Sequence, residues 1–76
     1  MARIRAIAAT RTEATLVRLV LEPDGHQVVS TVGDEPHPDD DTAELLICDR
    51  GRAVEDESVL RGLRTRFAGR RIILLG

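Results

Sequence analysis

Glu44-Leu45-Leu46-Ile47-Cys48-Asp49 sets four consecutive apolar residues between two acids. A strand with one wet face alternates apolar and polar side chains. A run of four without polar interruption predicts a strand buried on both faces, as in a parallel sheet covered by helices. Toward the C-terminus, Asp49 to Glu55 reads as a loop. A helix is expected to start near Glu55–Glu57, where three acids suit the positive end of a helix dipole. Val59, Leu60, Leu63 and Phe67 recur at helical spacing and form its inner face, which turns Arg61, Arg64 and Arg66 outward. Gly69 closes that helix, and Ile72-Ile73-Leu74-Leu75 reads as a last strand after Arg70-Arg71.

Toward the N-terminus the same alternation continues. Gly33 to Asp41 holds two prolines and five acids in nine residues, which predicts an irregular solvated loop with at most a short helical turn near Asp40–Ala43. Gln27 to Val32 is rich in β-branched residues and reads as a strand. Before it, Pro23-Asp24-Gly25 ends a helix, with Gly25 free to take a left-handed turn. That helix opens at Thr10-Arg11-Thr12-Glu13, the spacing of a capping box, and Leu16, Val17, Val20 and Leu21 make one apolar face. Ile4 to Ala9 is a first strand. Strands alternating with helices give right-handed crossovers and a parallel sheet, with the two helices on opposite faces.

The composition bounds what such a sheet can do. At 76 residues the chain is one small domain. A chain of this length buries only about 60% of its unfolded surface. Phe67 is the single aromatic residue, so aliphatic side chains carry the packing. A net charge of −2 argues against a general nucleic-acid binder. All 11 basic residues are arginine. Cys48 is the only cysteine, which excludes an internal disulfide, and its apolar setting predicts a small buried hydrophobe. No apolar run exceeds five residues, far short of a membrane span, and no signal peptide is visible. A cytoplasmic location is the expectation.

Three stretches carry a resemblance to a family. Leu19-Val20-Leu21-Glu22-Pro23-Asp24-Gly25-His26-Gln27-Val28-Val29, Glu44 to Asp49, and Val59 to Leu75 together resemble the receiver domain of two-component response regulators. The likeness covers nearly the whole chain and about two-thirds of a full receiver. It implies a flavodoxin-like three-layer fold with four parallel strands in the order 2-1-3-4, truncated before the last strand and helices. The family's second helix would be reduced here to the acidic loop. In the family, two acids after the first strand and an acceptor aspartate hold Mg²⁺, and a hydroxyl and a lysine read out the phosphoryl oxygens. Counted back from Gly25, the acidic pair falls on Ala8 and Ala9, whose methyls cannot ligate a hard cation. The hydroxyl position falls on Gly76, and the chain has no lysine. Asp49 alone remains, as a vestigial phosphoacceptor. The resemblance therefore implies no enzyme activity, no metal and no cofactor.

Other candidates are weak. His26 begins the second strand and His37 lies between two prolines, so they form no metal pair. Neither Ser30 nor Ser58 lies in a nucleophile elbow, and Gly62, inside a helix, reads as a site of close packing. Asp39, Asp40 and Asp41 precede the third strand and so lie at the sheet edge remote from Asp49. Seven arginines fall within residues 50–71, and Arg61, Arg64, Arg66, Arg70 and Arg71 read either as a solvated charged face or as a docking surface for an acidic loop of another subunit.

In the 2-1-3-4 order, Ile72, Ile73, Leu74 and Leu75 form an exposed apolar edge, which invites pairing with another chain. A homodimer through that edge is the favoured expectation. The alternative is that these residues belong to a longer response regulator. The functional expectation is a degenerate receiver-like module acting by phosphorylation-independent protein contact in signalling or transcription. Its surfaces would be Ile72–Leu75 and the Arg61/Arg64 face. A phosphoacceptor using Asp49, completed by a partner, is the alternative. Nucleic acid is disfavoured as a partner, and a membrane is not expected.

Overall fold

A computed structural model of the chain describes residues 2–33, 35–51 and 57–75. Its elements are β1 (Arg3–Ala8), α1 (Arg11–Leu21), a 3-10 turn Glu22–Asp24, β2 (Gln27–Val32), a second 3-10 turn Pro38–Asp41, β3 (Leu45–Asp49), α2 (Glu57–Arg66) and β4 (Arg71–Leu75). The strands form one all-parallel sheet in the order β2-β1-β3-β4, compatible with a truncated flavodoxin-like fold. Of the stretch read as a loop from Asp49 to Glu55, residues 52–55 lie outside the described residues, as does Gly76. Arg50 and Gly51 are helical rather than loop, directly after β3.

Local chemistry sets the boundaries. The Thr10 hydroxyl accepts the Glu13 amide at 3.1 Å and opens α1. The Glu13 carboxyl takes its backbone hydrogen bond from Ala9 rather than closing the capping box on Thr10. Gly25 ends the following 3-10 turn at φ 90°, a left-handed conformation that costs glycine little. His26 accepts the Ala2 amide on Nδ1 at 3.0 Å and pins the start of the chain beside β2.

Alternation along the strands divides the core in two. On one face Ile4, Ala6 and Ile47 pack against Val17 and Leu21 of α1. On the other, Ile7, Leu46 and Cys48 pack against Leu63 and Phe67, with Val59, Leu60, Ile72 and Leu74 around them. Cys48 is fully buried, as its apolar surroundings imply. The two helices therefore cover opposite faces.

Three details depart from the sequence reading. Leu16 and Val20 do not join Val17 and Leu21 against the sheet; they are 54% and 67% exposed. Arg66 does not point into solvent with Arg61 and Arg64, but turns inward to an acid described below. Gly62 serves no close packing, since a Cβ there meets nothing within 4 Å. Gly62→Ala is consequently expected to stabilise the chain by about 1 kcal/mol, by removing glycine's backbone freedom in the unfolded state. A urea midpoint that falls on this substitution would show that α2 needs the glycine.

Candidate functional site

Three features stand out, and each starts from a residue whose place in a strand or helix is fixed by the pattern above. The first lies at the C-terminal end of the sheet, where parallel α/β proteins bind ligands. Ala8 closes β1 there, Asp49 closes β3, and Glu13 reaches in from the first turn of α1. Partial burial raises the Glu13 pKa above its ordinary value, and a hydrogen bond to Asp49 and the repulsion of its charge raise it further; the Ala9 backbone opposes them. The upward shift reflects two acidic groups held close together at the end of the sheet. Asp49 is thus not a lone carboxylate, as the counting from Gly25 implied. Glu13 supplies a second oxygen group from a residue read only as a helix cap. Gly51 packs close by, since a Cβ on it would sit 3.1 Å from Asp49 Oδ1.

The second feature is an arginine knot on the α2 face. Arg5 occupies the middle of β1, is 1% exposed, and would be untenable without partners. Its Nε donates to Asp40 Oδ1 at 2.7 Å, Nη1 to Ala6 O and Thr31 Oγ1 at 2.8 Å each, and Nη2 to Glu35 O at 3.1 Å. Asp40 Oδ2 accepts Arg66 Nη2 at 2.6 Å and the His37 amide at 3.0 Å. Arg70 donates to the carbonyls of Asp40, Ala43 and Arg66. Burial alone would raise the Asp40 pKa; the hydrogen bonds from the His37 backbone, Arg66 and Arg5 outweigh it and hold the carboxyl below its ordinary value.

This knot corrects two expectations. The acidic loop is not solvated throughout: Pro38–Asp41 forms a 3-10 turn capped by His37, and Asp40 inside it is buried. Arg66 and Arg70 do not join a free basic patch. They hold the acidic loop of their own chain, so the contact imagined between subunits is made within one. Arg61 and Arg64 remain exposed, with Arg61 paired to Glu57 at 3.2 Å one helical turn away. The signal in the sequence was Arg5 itself, a cation amid Ile4, Ala6 and Ile7, which demands a buried anion.

The third feature is an apolar groove of about 330 Å³ lined by Glu13, Leu16, Val17, Val20, Leu21, Ile47 and Leu75. It exists because α1 lies mainly over β2 and β1 and reaches β3 at Ile47, leaving β4 uncovered on that face. Ile73 pairs in register with Ile47 on this face and is 44% exposed; Leu75 is 37% exposed. Of the residues expected at the edge, Ile72 and Leu74 instead pack inward against the α2 core. The exposed part of β4 is therefore one face of the strand as well as its edge.

Among the described residues no three His, Cys, Asp or Glu side chains converge as metal ligands, and no helix is long and apolar enough to cross a membrane. Comparison with protein-family models, curated proteins and solved structures finds no match for this chain.

Proposed function

We propose that the chain is a degenerate receiver-like regulatory module. It acts by protein–protein contact rather than by phosphoryl transfer, in the cytoplasm, in signalling or transcriptional control, and as a homodimer that buries β4. The observation that carries this reading is the apolar patch made by the exposed Leu16, Leu19 and Val20 of α1 and Ile73 and Leu75 of β4, on either side of a groove floored by the buried Ile47. A continuous exposed patch of this kind marks an interaction site in a water-borne protein. The Arg61/Arg64 side of α2 is the second surface available to a partner, and its exposed guanidiniums suit an acidic one.

The Glu13–Asp49 pair favours a second reading, in which Asp49 accepts a phosphoryl group and residues of a partner complete the site. Two carboxyls alone fall short of the roughly six oxygens that a hard cation takes, so a partner would have to supply the rest. Titration with beryllofluoride and Mg²⁺ separates the readings. No change is expected in the amide resonances of residues around Asp49. Saturable binding that Asp49→Ala abolishes would overturn the contact-only reading. Sedimentation tests the dimer separately: a chain that stays monomeric at tens of micromolar defeats that part of the proposal.

A further inference from the structure

Beyond α1, β3 and β4 together span about 10 Å, the diameter of one helix. Ile47 of β3, packed against Val17 and Leu21, floors this strip, and Ile73 and Leu75 of β4 are its exposed part. The same chain carries one helix with apolar surface to spare. Around α1, Val17, Val20, Leu16 and Leu19 follow one another over an arc of about 160°. Val17 faces the sheet, Val20 and Leu16 flank the groove, and Leu19, 63% exposed, caps the outer side. The polar side, Arg11, Thr15 and Arg18, faces away over β2. An uncovered strip and an over-apolar helix on one chain are complementary to each other.

Resting on the homodimer reading, we infer that α1 of a second copy fills the groove over β3 and β4, and that α1 of the first fills the second copy's groove in return. A two-fold axis between the helices and along the strands achieves this. The two copies of α1 then lie side by side in one layer between the two sheets. Val20 and Leu16 meet their counterparts across the axis, and Leu19 of each copy seats on Ile73 and Leu75 of the other. The contact is isologous and closed, so it yields a dimer and no filament. It also brings Glu22, the C-cap of α1, to the exposed Arg71 that opens β4 on the other copy. The five exposed residues, Leu16, Leu19, Val20, Ile73 and Leu75, present roughly 500 Å² per copy, near the largest patch a monomer ordinarily carries. Burying both patches removes about 1,000 Å², the threshold for a specific interface.

The alternative is backbone pairing of two β4 edges, which leaves α1 outside the contact. Leu19→Glu discriminates, because this side chain is already exposed and its replacement leaves the fold intact. By analytical ultracentrifugation, Leu19→Glu and Ile73→Glu are each expected to weaken dimerisation about a hundredfold or more, with far-ultraviolet circular dichroism unchanged. A Leu19→Glu variant that dimerises like the parent, while Ile73→Glu dissociates, overturns the groove-filling geometry and leaves the homodimer standing. A monomeric parent chain removes both.

Discussion

Asp40→Ala is expected to unfold the chain, or to lower its melting temperature by roughly 15–30 °C. The carboxylate is the shared anion of Arg5 and Arg66 at 2.7 and 2.6 Å. Removing one member of a buried pair leaves an uncompensated charge, at about 3–5 kcal/mol. A domain of this size holds only about 4–11 kcal/mol in total. Arg66 can relax toward water, since 28% of its side chain is exposed, but Arg5 at 1% cannot. Arg5→Met combined with Asp40→Leu is therefore expected to recover much of the loss, because an apolar pair of similar volume carries no desolvation penalty. Thermal melts followed by circular dichroism check both, and a drop of under about 5 °C for Asp40→Ala would show that the knot contributes little.

The same residue sets an acid limb. The native Asp40 pKa lies below its ordinary value of 3.8, so folding favours the ionised form. Its contribution is complete above pH 3.8 and drains away as pH falls through the depressed native value. The stability gap between the parent chain and Asp40→Asn should accordingly narrow in that acid window and hold constant above it.

Phe67→Ala is the second large effect, expected at about 3–5 kcal/mol. Phe67 is the one aromatic residue in the chain and is 1% exposed, packed with Leu63, Leu46 and Ile7. No neighbouring ring can move in to fill its space. The Arg70 and Arg66 guanidinium carbons lie 4.7 and 5.6 Å from its ring centroid, within range of a cation–π attraction. Phe67→Leu keeps most of the volume and loses the ring face, so its cost should stay near about 1–1.5 kcal/mol. Urea midpoints that put Ala and Leu on a par would show that volume is not what the position requires.

The parallel sheet and its order were legible because they rest on local patterns: the four apolar residues of β3, the cap at Thr10 and the glycine turn at Gly25. The expected first strand is offset from the observed one by one residue at both ends, and the third and fourth differ by one residue at one end. What was not legible depends on contacts between distant residues. Arg5 and Asp40 are 35 residues apart, and Asp40 and Arg66 are 26 apart, so no spacing rule joins them. Glu13 was masked by its local role in a helix start, which hid its reach toward Asp49. The apolar stripe of α1 was visible, but its division into a buried half and an exposed half depends on which strands the helix covers. That is a property of the assembled sheet.

A last consequence concerns how the chain reaches this state. The knot draws on β1, the acidic loop, the end of α2 and the turn before β4, so it closes only when nearly the whole chain is in place. A half-assembled sheet would strand the Arg5 charge between apolar neighbours, which makes partial folds poor in energy. Assembly should thus be all-or-none, with early and late segments locking together in one step and no stable sub-piece to linger in.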